Sequence, residues 1–161
     1  MIRTLICFAA EGVITDAETR QVSAFGLLEN VQASSFPVAL QRIALFCMWE
    51  RALTDTPECG VELSVTLNGQ EIARQIIDIN FAQFLRTRST IRFEGVTLAE
   101  PGNLVFRLAL PGHDVAEWVV TVNRAAPTAP GPVGATAAGA SSRVYESQPV
   151  SVAIGKVNFH R

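Results

Sequence analysis

Charge is scarce in this chain. Asp, Glu, Lys and Arg make up 17% of its 161 residues, against about a quarter in an ordinary soluble domain. Lysine is almost missing: the basic residues are Arg throughout, apart from Lys156. Thirteen basic residues against fifteen acidic ones leave a net charge of −2, which does not favour nucleic acid, a partner that asks for a basic face. Histidine occurs only at His113 and His160. Three cysteines, Cys7, Cys47 and Cys59, show no CxxC and no Cys/His ligand spacing, so a zinc site is not expected. They cannot all pair with one another, and a reducing cytoplasm is the expected setting. GxxxxGK[ST] and GxGxxG are both absent, and the glycines Gly131, Gly134 and Gly139 follow no strand–helix step, so no phosphate loop is expected. No Asp cluster recurs as a calcium-binding sandwich would require. No run approaches the ~20 apolar residues of a membrane-spanning helix. Arg3 followed by Thr4 to Ala10 faintly mimics a secretory leader, but the run is short and Glu11 follows without a small-x-small site, so a first strand is the better reading.

What is present is alternation. Val61, Leu63, Val65 and Leu67 alternate with Glu62, Ser64, Thr66 and Asn68, the period of a half-buried strand. Asn68-Gly69 tolerates positive φ at both central positions of a tight turn, and Gln70 to Ile79 runs back. The pattern predicts a central hairpin. Around it, strands are expected over Ile2 to Ala10, Gln21 to Val31, Ala39 to Leu53, Thr90 to Leu98, Asn103 to Leu110 and Val115 to Asn123. Gly26 marks a bulge or a close backbone approach, and Pro37 breaks the second strand. Ala39 to Leu53 is apolar on both parities, as a central strand is. Asn80 to Ser89 is read as irregular. About eight strands with short, regular turns predict an all-β fold: a single antiparallel sandwich, immunoglobulin-like or C2-like, over residues 1–124.

From Ala125 the composition changes to an uncharged Ala/Pro/Gly-rich stretch, expected to be a flexible linker over residues 125–142. Residues 143–161 recover strand character through Val150, Val152, Ile154, Val157 and Phe159. Such a segment can add a strand to a neighbour's sheet, fold back on its own, or stay disordered.

The succession of an N-terminal strand, a turn with Asp16, AFGLLENVQASSFP, a long apolar strand ending at Trp49-Glu50-Arg51, the Asn68-Gly69 hairpin and FEGVTLAEPGNLVFRLAL resembles a family of small bacterial β-sandwich proteins known only as a domain of unknown function. The resemblance covers about Ile2 to Arg124 and implies the sandwich. It brings no functional residues with it.

Chemistry is hard to find in the side chains. His113-Asp114 lies in a Pro-Gly turn and reads as solvated turn residues rather than half a triad. Asp78 sits among apolar residues, where a buried carboxylate would hint at function, although a solvated one is the ordinary case. Arg86, Arg88 and Arg92 form the local basic cluster, flanked by Phe84 and Phe93. Arg beside aromatics suits a protein interface better here than a single-stranded nucleic acid. The expectation is a non-catalytic interaction or self-assembly module of a cytoplasmic bacterial protein, with no metal or cofactor. Its candidate interface is Arg86, Arg88, Arg92, Val150, Val152, Ile154, Val157 and Phe159. Its partner is another protein or a second copy. The alternative is a small-ligand or carbohydrate-binding sandwich with Trp49 and Trp118 as platforms; an enzyme is least expected.

Overall fold

The computed structural model describes residues 1–110, 112 and 115–126 in full, and residues 153–160 by their backbone pairing. The fold is all-β: among the described residues there is no helix. The strands are β1 (Arg3–Thr15), β2 (Val22–Leu27), β3 (Asn30–Ala33), β4 (Val38–Glu50), β5 (Glu58–Leu67), β6 (Gln70–Asn80), β7 (Arg86–Leu98), β8 (Gly102–Ala109), β9 (Val115–Arg124) and β10 (Ala153–His160). They form two sheets, in the orders β10-β7-β4-β1-β2 and β3-β9-β8-β5-β6. Apolar residues facing inward from both sheets make one core, a sandwich rather than a closed barrel.

The predicted hairpin is there. Asn68 (φ 51°) and Gly69 (φ 81°) join β5 to β6, the pair of positive φ values that a tight hairpin turn demands. Asn68 also staples this turn to the next. Its Nδ2 donates to Glu100 Oε1 at 2.7 Å and to the Pro101 carbonyl at 3.0 Å, and its Oδ1 accepts the Asn103 amide at 3.0 Å. The alternation of the eighth strand also holds: Leu104, Phe106 and Leu108, with Leu110 just beyond, all point into the core. Phe106 meets Phe93 of the opposite sheet with ring centroids 5.4 Å apart.

Four expectations need correction. The first strand does not stop before Glu11; it runs on to Thr15. The predicted strand Gln21 to Val31 is two strands in different sheets. Gly26 takes φ 63°, and Glu11 lies so close that a Cβ there would meet its side chain at 2.7 Å. Just after it, the Leu28 amide donates to Ala9 of β1, and the Glu29 carbonyl accepts from Thr121 of β9. The chain thus changes sheets within two residues, and the Trp118 indole N–H donates to the Leu28 carbonyl at 2.7 Å beside the crossing. Beyond it, β3 runs parallel to β9, so the sandwich is not wholly antiparallel. Finally, Arg86 to Ser89, expected to be irregular, are already strand.

From Ile43 to Cys47, β4 is buried on both faces, as its sequence predicts. Ile43, Leu45, Cys47 and Trp49 face the opposite sheet. Ala44 and Phe46 face outward yet are 3% and 5% exposed. They form a second apolar cluster with Ala10 and Val13, joined by Phe8, Val22 and Met48. The β1–β2 hairpin supplies Val13 and Val22 to this cluster, so it closes the outer face that Ala44 and Phe46 would otherwise show to water.

Phe106 fills the centre of the core, and Phe106→Ala should cost about 3–5 kcal/mol. Urea denaturation followed by far-UV circular dichroism should show a lower midpoint at an unchanged slope. A loss under 1 kcal/mol would mean that the two sheets do not pack through this ring.

Candidate interaction surface on strand β7

β7 carries the predicted basic cluster. On a strand, residues two apart share a face, so Arg86, Arg88 and Arg92 project from one face of β7, opposite the buried Ile91 and Phe93. Each is engaged within the molecule. Arg86 donates from Nε to Glu50 Oε1 at 2.8 Å, and Arg3 donates from Nε to Glu50 Oε2 at 2.8 Å. The two guanidinium groups hold the Glu50 carboxyl below the usual carboxylate range, Arg3 contributing most. Arg88 donates to the Arg20 carbonyl at 3.1 Å, and Arg92 to the Val13 carbonyl at 3.3 Å. Both carbonyls belong to the β1–β2 hairpin or its turn. The cluster therefore ties the hairpin down across the outside of its own sheet.

The hairpin turn is ordered from within. Asp16 Oδ1 accepts the amides of Glu18 and Thr19 at 3.0 and 2.6 Å and the Thr19 hydroxyl at 2.9 Å. These bonds, the Thr19 amide first, lower the Asp16 pKa. Arg20 takes φ 58° and closes the loop, its amide donating to the Asp16 carbonyl. Phe25 lies over Gly12, its register partner, so closely that an added Cβ would fall 2.1 Å from the ring. Between hairpin and sheet runs an open groove of about 540 Å³, bordered by Glu11, Phe25, Arg42, Arg92 and Glu94. Its mixed charge selects no one ligand class.

The edge of β7 carries the tail. β10 pairs with it antiparallel, Ala153 opposite Glu94, Ile154 opposite Phe93, Val157 opposite Ile91, Asn158 opposite Thr90, Phe159 opposite Ser89 and His160 opposite Arg88, with a register shift between Ile154 and Val157. Two halves of the predicted interface, the Arg cluster and Ile154, Val157 and Phe159, thus lie on adjacent strands. Val150 and Val152 lie outside the described residues, as do His113 and Asp114.

The other sequence candidates are ordinary. Asp78 is exposed. Trp49 is 1% exposed, its indole N–H donating to Ser89 Oγ at 2.9 Å, and Trp118 is half-buried. Neither offers the exposed face of a sugar platform. Among the described residues no three His, Cys, Asp or Glu side chains gather as metal ligands would, and no helix is long and apolar enough to cross a membrane. Sequence reasoning missed the part played by the hairpin. Its only trace there was the two-faced apolarity of β4, which needs a cover on each side.

The Family of unknown function (DUF6941) matches residues 5–123. The chain belongs to this family. The match spans β1 to nearly the end of β9 and stops short of β10, so the family's shared part is the body of the sandwich. No curated protein and no solved structure matches the chain.

The Arg3–Glu50–Arg86 triad sets an acid dependence. A carboxylate whose native pKa is depressed contributes stability above its unfolded pKa and loses it as pH falls through the native value. Wild type should therefore unfold at a higher temperature than Glu50→Gln at pH 7, and the two should converge below the ordinary Glu pKa of about 4.5. Parallel curves from pH 7 to pH 3 in differential scanning calorimetry would show that the triad contributes nothing.

Proposed function

We propose that this protein is a non-catalytic interaction and self-assembly module, and that the edge of β7 is its docking site for an extended strand. One observation carries the reading: the tail strand β10 lies along β7, separated from β9 by the 28 residues 125–152. An unoccupied β7 would present a 13-residue edge of backbone donors and acceptors, the kind of edge that recruits a strand from another chain. Fully extended, 28 residues reach about 90 Å, so the same tail can serve its own β7 or that of a second copy. The contacts are the same in both arrangements, and protein concentration decides between them.

The topology supports this reading. We take it as immunoglobulin-like, with β1, β4 and β7 at positions A, B and E of one sheet and β5, β6, β8 and β9 at C, C′, F and G of the other. Position D, beside E, is where β10 pairs. The missing-strand position and the docking edge are then one and the same. The three free thiols fit a protein of a reducing, cytoplasmic setting.

The test is light scattering on a sizing column over a hundredfold range of concentration. Three proteins are compared: the full chain, the full chain with Val157→Pro and a chain ending at Arg124. Proline removes a ladder hydrogen bond, so exchange should fall in the variant. The full chain should grow in mass with concentration, and the other two should stay at monomer mass. A synthetic peptide of residues 143–161 should bind the shortened chain. A full chain that stays monomeric throughout, together with no peptide binding, would sink the reading.

A further inference from the structure

A row of three polar side chains crosses the apolar middle of one sheet. Ser89 on β7 is the register partner of Cys47 on β4, and Cys47 is the register partner of Cys7 on β1. β4 lies between the other two strands in the sheet. Cys47 and Ser89 are buried, while Cys7 is half-buried and packs against the same core. The Trp49 indole N–H donates to Ser89 Oγ at 2.9 Å. Ser89 and Cys7 flank Cys47 across the sheet, each placed to act on its thiol. Because the indole can only donate, Ser89 keeps its own proton to give to Cys47, and the Cys47 thiol can donate to Cys7. The donors of this chain end on Cys7, the sulfur of the row that is partly open to water.

The surroundings separate the two thiols. Cys47 S–H donating to Cys7 lowers the Cys7 pKa against the opposing effect of its burial. Burial, with the neighbouring Cys7, pushes Cys47 well up. Access is also one-sided. β2 pairs with β1 only from Ala10 onward, so the stretch of β1 around Cys7 borders the sheet edge. Directly opposed residues of an antiparallel pair lie about 4.5 or 5.5 Å apart between Cα atoms, inside the range a disulfide spans.

We propose that Cys7 and Cys47 are an oxidisable dithiol, with Cys7 the thiol that attacks a hydroperoxide and Cys47 the one that resolves it. The Cys7 thiolate attacks one peroxide oxygen and the O–O bond breaks. The sulfur is oxidised by two electrons to a sulfenic acid, and the other oxygen leaves as water after taking up a proton. Cys47 Sγ then attacks Cys7 Sγ. The S–O bond breaks, and the hydroxide leaves with the Cys47 proton as a second water. For hydrogen peroxide the balance is two thiols and one peroxide to one disulfide and two waters. The product is a cross-strand link between β1 and β4, reversible by an external dithiol. Cys59 lies on β5, apart from this row, with its pKa raised by burial and the nearby Asp78 charge. It is an internal control.

The test uses the full reduced chain and hydrogen peroxide at one equivalent, followed by alkylation, intact mass measurement and peptide mapping. Two of the three thiols should become unreactive, with one linked peptide containing residues 7 and 47 and with Cys59 alkylated. Dithiothreitol should restore all three. At early times Cys7 should react roughly tenfold or more faster than Cys59. Cys47→Ala should leave a Cys7 sulfenic acid that dimedone traps, and Cys7→Ser should leave Cys47 unoxidised. The linked peptide from the unaltered chain decides the matter even if either variant folds poorly. Oxidation of Cys59 at the same rate as Cys7, or full peroxide treatment without a 7–47 link, would overturn the proposal.

Discussion

From Ile43 to Cys47, β4 has no face that water can have, and the rest of the molecule answers that constraint. One face, through Ile43, Leu45, Cys47 and Trp49, is met by the opposite sheet. The other, through Ala44 and Phe46, has no second sheet to meet it. Leaving a large aromatic such as Phe46 in water would forgo about 1.5–3 kcal/mol. The chain solves this locally by running β1 past the end of its pairing with β4 and turning it back as β2. The hairpin needs its own fastening, because it is short and its outer strand is largely exposed. Arg88 and Arg92 provide it through the carbonyls of Arg20 and Val13.

The same layout explains where the molecule is open. Sheet edges need a cover or a deterrent. β6 carries Glu71, Arg74 and Asp78 along an exposed edge, and β2 is short. β7 is 13 residues long, and its Arg86, Arg88 and Arg92 are turned to Glu50 and to the hairpin. What lies on it is β10. A strand supplied from the far end of the chain is a different kind of cover from a built-in neighbour, since removing it breaks no contact of the body with itself.

Much of the fold was legible in the sequence. Val61 to Leu67, the Asn68-Gly69 turn and Leu104 to Leu110 each carried a local signal, alternation or turn chemistry, that tertiary structure had no reason to override. β4 was legible as a two-faced strand. The hairpin cover was not, because Glu11 and Gly12 interrupt the apolar pattern just where β1 leaves β4. Their roles depend on Gly26 and Phe25 of a strand that only the fold brings alongside. The division of β2 from β3 was hidden for a similar reason. Nothing at Leu28-Glu29 says that one amide will pair with β1 and the neighbouring carbonyl with β9. Arg86 and Arg88 read as irregular because no apolar partner alternates with them before Ile91. The Cys7–Cys47 pairing is a fact of register, and register between strands forty residues apart is not written in either strand.

The near absence of lysine, unexplained by composition, has a physical counterpart in what the arginines do. Arg51 alone reaches the carbonyls of Phe84, Asp55 and Ala82, tying two loops at one end of the sandwich while its guanidinium lies 5.9 Å from the centre of the Phe81 ring. Arg3 and Arg86 grip the two oxygens of one carboxylate. Arg88 and Arg92 each reach a single backbone carbonyl of the hairpin across the sheet. These tasks want several donors in a fixed plane on a long stem, which a guanidinium has and an ammonium does not. They also draw positive charge into contacts within the body. What the chain does have free is backbone, at the edges of its sheets, and the strand that lies along β7 is made of the same currency.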